Sequence, residues 1–290
     1  MNTVPILNIK QFNQEETQLN FYSNVLSTHL KKNEKIIHKA HKHDFYLCVL
    51  FTKGTGIHEI DFNSYTVNPG SVFFLKPGQV HSWLFKSPPE GFIFFHTQEF
   101  YDFYFSSKSL SQFPFYYSYK NPPNLHLKTT ELAILESRFK EINNESNSNH
   151  IYKKQKIASL LNVTYIDLSR IYSTEIKPRK VISSTYLETL EGLEILIEEF
   201  YKKEKSALFY ANKLNITTKH LNRITKSSIN KTTSELISER IILEAKRLLI
   251  HSKNTLSLVS ETLGYEDYAY FSRIFKLKTK STPKEFKRQF

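Results

Sequence analysis

The last third of the chain contains one short helical pattern twice, and this repeat constrains the fold more than any other feature. Residues 206–226 (SALFYANKLNITTKHLNRITK) correspond to residues 255–276 (TLSLVSETLGYEDYAYFSRIFK) at an offset of 49, which becomes 50 after a one-residue insertion. Each copy has apolar residues at i, i+3 and i+7, followed by a residue that tolerates positive φ, Asn215 or Gly264. The pattern predicts two helix-turn-helix units.

The second helix of each unit is predicted to present a polar face. Thr217 or Thr218 in the first unit, and Asp267 in the second, are suitable N-caps for this helix. Arginine can bind guanine through two hydrogen bonds, asparagine can pair with adenine, and lysine suits phosphate. We therefore predict that one set of side chains contacts DNA: Lys219, Asn222, Arg223, Lys226, Tyr268, Ala269, Ser272, Arg273 and Lys276.

A long helix is predicted between the two units. Thr232 and Glu235 have the spacing of a capping box, and an apolar series at helical spacing continues to Leu249. A helix over 233–250 would be about 27 Å long. Because successive major grooves recur about every 34 Å on one face of DNA, two second helices held at this scale could enter both grooves.

The distribution of charge agrees with a nucleic-acid partner. The formal net charge is +12, and residues 205–290 alone carry 17 basic and 7 acidic side chains, a balance of +10. Neutralising phosphates would relieve the repulsion within so basic a region. The same charge is compatible with a solvated lysine-rich surface, or with a packaging protein that binds nucleic acid without specificity.

Several classes of protein are excluded by composition. The seven glycines form neither a G-x-G-x-x-G nor a phosphate-binding loop motif, which excludes the two common nucleotide-binding enzyme classes. The single Cys48 cannot form an internal disulfide, and no leader sequence opens the chain. Apolar runs such as Phe92–Phe95 are far too short to span a membrane. We expect a cytoplasmic protein with no membrane partner.

The first half of the chain is predicted to be rich in β-structure. Short apolar segments broken by Gly and Pro predict an antiparallel sandwich or barrel: 45–52, 57–62, 71–75, 80–85 and 91–97. Helical spacing then begins near Thr130. The predicted class is α+β with two domains. The predicted divisions are a β-domain at 1–130, a helical segment at 131–173, a linker at 174–185 and an all-α double helix-turn-helix domain at 186–290.

The C-terminal run 242–290 closely resembles the signature of AraC/XylS-type transcription regulators, and 206–240 resembles that family's first helix-turn-helix. Three motifs carry the resemblance: Gly264-Tyr265, Tyr270-Phe271-Ser272-Arg273-x-Phe275-Lys276 and Thr282-Pro283-x-Glu285-Phe286. Two positions depart from the family's pattern. Asn215 occupies a position where the family commonly has glycine, and Lys219 one where a larger side chain often meets the groove. The resemblance implies a cytoplasmic, non-enzymatic regulator of promoter DNA. It also implies a small-molecule effector and RNA polymerase as a candidate partner. For the helices of 131–173 two interpretations stay open: packing onto the β-domain, or a homodimer interface as the resemblance implies.

The N-terminal half resembles the cupin-like β-barrel that these regulators use as a sensor, on the strength of His41-Lys42-His43 and the later His81. In metal cupins the corresponding histidines and a glutamate bind a divalent ion, but Leu47 or Cys48 occupies the glutamate position here. We interpret His41, His43, His81 and Trp83 as facing an effector, and predict no metal and no cofactor. A metal-dependent cupin enzyme fused to a DNA-binding domain stays open as the alternative, with substitute ligands His38, His58 or His96.

Overall fold

The structure is a computed structural model that describes residues 4–12, 20–37, 39–105, 110–117, 121–175 and 184–288. The chain forms two compact units, Pro5–Pro178 and a C-terminal unit containing Arg179–Phe290. The helices predicted at 131–173 therefore belong to the same unit as the strands. Most of the linker predicted at 174–185 lies outside the described residues.

In the described part of the N-terminal unit, ten strands form two five-stranded sheets. The strands are β1 (Ile6–Leu7), β2 (Phe21–Val25), β3 (His41–His43), β4 (Tyr46–Lys53), β5 (Gly56–Ile60), β6 (Asn63–Val67), β7 (Ser71–Leu75), β8 (Val80–Phe85), β9 (Glu90–His96) and β10 (Asn124–His126). One sheet has the order β1-β3-β8-β5-β6 and the other β10-β7-β4-β9-β2. All pairs are antiparallel except β1 with β3. The five predicted strand segments are confirmed as β4, β5, β7, β8 and β9, with ends within two residues.

The α-helices among the described residues of this unit are α1 (Leu26–Ile37), α2 (Gln98–Tyr104), α3 (Pro114–Tyr117), α4 (Thr129–Ser146) and α5 (Lys153–Glu175). The central strand β4 is buried on both faces, which explains its continuous apolar sequence. Its Leu47 and Val49 pack into a core shared with Ile60 and Val67 of the other sheet. Cys48 and Leu50, on the opposite face, pack in a core with residues of α4 and α5.

The C-terminal unit is helical: α6 (Ser184–Phe200), α7 (Ala207–Lys213), α8 (Thr218–Ile229), α9 (Thr233–His251), α10 (Leu256–Thr262), α11 (Tyr268–Thr279) and α12 (Pro283–Arg288). Helices α6, α7 and α8 contact one another and form the first lobe, while α10 contacts α11, and α11 contacts α12, in the second. Helix α9 contacts members of both lobes, and at 19 residues it is about 28 Å long. The predicted long helix is confirmed.

A network of charged side chains joins α9 to α6. Arg240 Nε lies 2.6 Å from a carboxylate oxygen of Glu198 on α6, and its guanidinium lies 4.2 Å from the ring centroid of Tyr201. Glu244 accepts hydrogen bonds from both Arg240 and the buried Arg247. Arg240, Glu244 and Arg247 are largely removed from water, and the contact of Arg240 with the partly exposed Glu198 holds α9 against α6 of the first lobe.

Candidate nucleic-acid interface and histidine cluster

The two predicted helix-turn-helix units have the same turn geometry, with a left-handed residue and a backbone hydrogen bond at equivalent positions. Asn215 has φ of 55° and Gly264 has φ of 73°, as predicted from their side chains. The amide of Ile216 donates to the carbonyl of Ala211 at 3.0 Å. Forty-nine residues later, the amide of Tyr265 donates to Ser260 at 3.1 Å. Each turn is therefore the end of a helix closed by one left-handed residue.

The same correspondence continues through the second helices. Thr217 caps α8 and Asp267 caps α11, which confirms the predicted caps. Both helices end on a left-handed residue, Asn230 and Lys280, fifty positions apart. A capping box then follows each: Thr232 with Glu235, and Thr282 with Glu285. The repeat thus extends beyond the segment recognised in the sequence, into the start of α9 and of α12.

The predicted DNA-contacting side chains lie along α8 and α11. Five of them are charged and exposed: Lys219, Arg223, Lys226, Arg273 and Lys276. Ala269 is also exposed, whereas Asn222, Tyr268 and Ser272 are partly buried. On the opposite faces, Leu221, Ile224, Phe271 and Phe275 are buried and hold both helices to their lobes. Helices α8 and α11 therefore present exposed positive side chains at equivalent positions of the repeat.

On α8 and α11, the exposed arginine lies near an aromatic side chain three residues earlier. Arg223 Nη2 donates to His220 Nε2 at 3.2 Å, and the Arg273 guanidinium lies 6.0 Å from the ring centroid of Tyr270. His220 and Tyr270 were not predicted as site residues, although the helical spacing i, i+3 was a signal that could have found them. Contacts of this kind restrict the arginine rotamers before any DNA is bound.

Asn222 has a structural contact that its counterpart lacks. Its Oδ1 accepts a hydrogen bond at 2.9 Å from the backbone amide of Thr233, at the start of α9. In the second unit the corresponding pair is Ser272 and Pro283, and proline has no amide hydrogen to satisfy. Asn222 therefore fastens α8 to α9, while its amide NH₂ keeps two donors.

Four buried histidines on strands of the first sheet converge on the face that packs against the second sheet, where His58 lies 4.5 Å from the ring of Phe73 and His43 lies 6.4 Å from that of Phe95. His41 and His81 are directly paired across β3 and β8, and His58 on β5 is paired with Trp83 on β8. His43 Nε2 lies 2.7 Å from His81 Nε2, and His58 Nε2 lies 2.8 Å from His81 Nδ1. The structure thus brings together the predicted His41, His43, His81 and Trp83, and adds His58.

Burial keeps these imidazoles neutral, since it lowers the pKa of His43, His58 and His81 well below 6.5 and lowers that of His41 as well. Among the described residues, His43 Nδ1, His58 Nδ1 and the indole nitrogen of Trp83 are buried without a hydrogen-bond partner. The cluster therefore contains polar atoms whose bonding capacity is unused.

The other candidate histidines lie elsewhere. His96 is buried at the end of β9, where Nδ1 donates to the carbonyl of Thr97 and Nε2 accepts from the hydroxyl of Tyr165 on α5. This pairing joins the second sheet to α5 and gives His96 a structural contact. His38 lies outside the described residues. Among the described helices, none has the length and apolar character needed to cross a membrane.

Comparison with known proteins gives two domain matches. Residues 210–289 match a family described as a helix-turn-helix domain, and residues 28–91 match one described as an AraC-like ligand binding domain. The chain is 21% identical over 256 residues to the HTH-type transcriptional activator RhaR of Mannheimia succiniciproducens, covering 86% of this chain and 87% of that protein. It is 22% identical to RhaR of Escherichia coli O139:H28, with coverage of 85% and 86%. The solved structure of ToxT from Vibrio cholerae is 15% identical, covers 92% of this chain and 98% of its own, and has a TM-score of 0.42.

Proposed function

Since the chain belongs to the AraC family of transcription regulators, with a helix-turn-helix DNA-binding domain and a ligand-binding domain, we propose that one copy reads two blocks of promoter DNA. One observation carries the proposal: the turn, caps and exposed arginine of the first unit recur at the same positions in the second. Helix α9 joins the two lobes over about 28 Å, a length compatible with successive major grooves.

In this proposal Arg223 and Arg273 contact base edges. Lys219, Asn222, Tyr268, Ala269 and Ser272 lie beside them, and Lys226 and Lys276 contact phosphate. The two helices differ at equivalent positions, since α8 has Lys219 where α11 has Ala269. Because the side chains differ, the two helices would prefer different DNA sequences. The operator would then be asymmetric. Binding of the full-length chain to random duplexes, with the enriched sequences counted, tests this directly.

We propose that the ligand-binding domain controls DNA binding and that the site lies at the histidine cluster, with Trp83 as one wall. The side chains of His41, His43, His58 and His81 converge between the two sheets, and the unpaired nitrogens there offer hydrogen bonds to a ligand. No catalysis is required of this arrangement. Since promoter DNA is the target, we place the protein in the cytoplasm.

We also propose a homodimer through α4 and α5. Ile134 on α4 and Val163 on α5 are exposed apolar side chains, while the opposite faces of these helices are buried against the sheet. Sedimentation of the wild type and of Ile134→Glu over a range of concentrations tests this, and the variant is expected to be monomeric.

The relatives named RhaR are described as activators. We propose that this protein also activates transcription, and that it does so by contacting RNA polymerase at the promoter.

A further inference from the structure

A lysine of the first lobe directly contacts the turn of the second helix-turn-helix unit. Lys205 lies in the loop 201–206, which joins α6 to α7. Its Nζ donates to the carbonyl of Gly264, between α10 and α11, at 2.7 Å, and to the carbonyl of Lys202 in its own loop at 3.1 Å. The same ammonium lies 4.7 Å from the ring centroid of Tyr265. This inter-lobe contact does not involve α9.

The backbones of the loop and of the turn also meet at this point. A Cβ built on Gly264 would lie 1.9 Å from the carbonyl oxygen of Lys202 and 2.9 Å from Nζ of Lys205, so glycine is needed for the close approach. Lys205 is partly buried. Hydrogen bonds from an ammonium to a carbonyl are charge-assisted, and partial removal from water strengthens them. The inter-lobe contact therefore combines backbone packing with two strong hydrogen bonds.

Both partners of the inter-lobe contact are anchored within their own lobes. In the first lobe, the hydroxyl of the buried Tyr210 on α7 donates to the carbonyl of Glu204 at 2.8 Å, and Tyr201 at the start of the loop is buried. In the second lobe, the buried Tyr265 packs with its ring centroid 5.3 Å from that of Phe271 on α11. Because neither the loop nor the turn can move alone, a displacement of one lobe relative to the other has to break the inter-lobe contact.

Repetition of the helix-turn-helix unit does not account for Lys205. Its counterpart 49 residues later is Asn254, whose shorter and uncharged side chain cannot supply an ammonium. The backbone carbonyl of Asn254 instead accepts a hydrogen bond from Lys287 on α12 at 3.2 Å, within the second lobe. The inter-lobe contact therefore belongs to the junction between the lobes and not to the repeated pattern.

We propose that Lys205 sets the spacing of the two DNA blocks that one chain accepts, by holding α11 at a fixed position relative to α8. This inference rests on the proposed function, in which each of these helices reads one block. One added base pair moves the second block by about 3.4 Å along the duplex and about 35° around it. To follow this movement, the second lobe has to separate from Lys205. Lys205 is thus a positioning residue, which selects among spacings without contacting a base.

The distance between α8 and α11 tests the inter-lobe contact without DNA. The single Cys48 is buried, so added cysteines take the spin labels in the folded full-length chain. Ser227→Cys on α8 and Leu277→Cys on α11 place labels at exposed, equivalent positions, and dilution with unlabelled chain suppresses distances between copies. Double electron–electron resonance should give one narrow distance distribution for this chain and a broader one after Lys205→Met. Lys203→Met, which removes an exposed lysine of the same loop, is the control and should leave the distribution narrow.

Duplexes of different spacing test the consequence for DNA binding. The probe is the duplex enriched from random sequences, with one base pair added or removed between its two blocks. The affinity ratio between the original and the altered duplex is expected to be about tenfold smaller for Lys205→Met than for the wild type, because only the wild type has to break charge-assisted hydrogen bonds. Lys203→Met, with the same loss of charge, should keep the ratio of the wild type. Thermal unfolding followed by circular dichroism shows that each variant is folded.

Three results would overturn the proposal: an unchanged distance distribution in Lys205→Met, an equal spacing preference in the wild type and this variant, or the same relaxed preference in Lys203→Met, which would make the effect one of charge alone. No enriched duplex for the wild type would instead contradict the proposed function. The distance measurement would then still decide whether Lys205 holds the two lobes together.

Discussion

The guanidinium of Arg223 donates a hydrogen bond to His220, one turn earlier on α8, at 3.2 Å. Fifty residues later, Arg273 lies over the ring of Tyr270 in the same relative position on α11. The first lobe therefore holds its arginine by a hydrogen bond and the second by a cation–π contact, at equivalent positions of the repeat. This equivalence makes the arginines the most informative pair to change.

Replacement of either arginine should relax base preference at one block of the operator. Arg223→Ala and Arg273→Ala are each expected to reduce discrimination by about 1–3 kcal/mol at one base pair, because a bidentate contact with guanine is lost. Competition between duplexes with single base-pair changes measures this. Lys276→Ala is the matched control on α11, since it should weaken all sequences alike and lower the salt slope by about 1. An unchanged preference in both arginine variants would contradict the assignment.

Gly264 should be intolerant of any side chain. Its φ is positive, and a Cβ built there would lie 1.9 Å from the carbonyl oxygen of Lys202. Gly264→Ala is expected to lower the free energy of unfolding by about 2 kcal/mol or more, from left-handed strain and from this clash. Asn215→Gly is the control in the first unit, where relief of the left-handed strain should raise stability by about 0.5–1 kcal/mol. Denaturation followed by circular dichroism measures both, and a neutral Gly264→Ala would refute the prediction.

Asn222 and Ser272 occupy equivalent positions but should differ in their effect on stability. Asn222→Ala leaves the backbone amide of Thr233 without its acceptor at the start of α9, which should cost about 1–2 kcal/mol. Ser272→Ala should cost less than about 0.5 kcal/mol, because Pro283 has no amide hydrogen. The same denaturation experiment compares the two, and equal costs would be inconsistent with the capping contact.

Acid should destabilise the N-terminal unit through its buried histidines. Burial lowers the pKa of His96 to about 4, below the ordinary 6.5, so the unfolded chain binds more protons between these values. The free energy of unfolding is therefore highest above pH 6.5 and falls as the pH drops towards 4. His96 accounts for a loss of about 3 kcal/mol over this range. Urea unfolding followed by Trp83 fluorescence measures this unit. His96→Gln should show a shallower decline over the same range, and an identical decline would contradict the prediction.

The sequence predicted the C-terminal unit well because its determinants are local. Caps such as Thr217 and Asp267, the left-handed Asn215 and Gly264, and helical apolar spacing all act within a few residues. The second function of Asn222 was not predicted, because it depends on the packing of α8 against α9. The presence of Pro283 where the first unit has Thr233 was the available signal.

The N-terminal unit was predicted less completely because its contacts are distant in sequence. Strand β6 and helix α1 were not predicted, since Asn63–Val67 is a largely exposed edge strand and α1 contains the polar run KKNEK. His58 joined the cluster only through the register that pairs β5 with β8. Register follows from the whole sheet, so alternation within one strand could not reveal which histidines meet.

Selection of bound sequences from a random duplex library by the full-length chain, near physiological salt, tests the central claim most directly. The account predicts an asymmetric operator with two short, different blocks about one helical turn apart, each weakened by only one of Arg223→Ala and Arg273→Ala. A single block, a symmetric site for one chain, or no enrichment would contradict it.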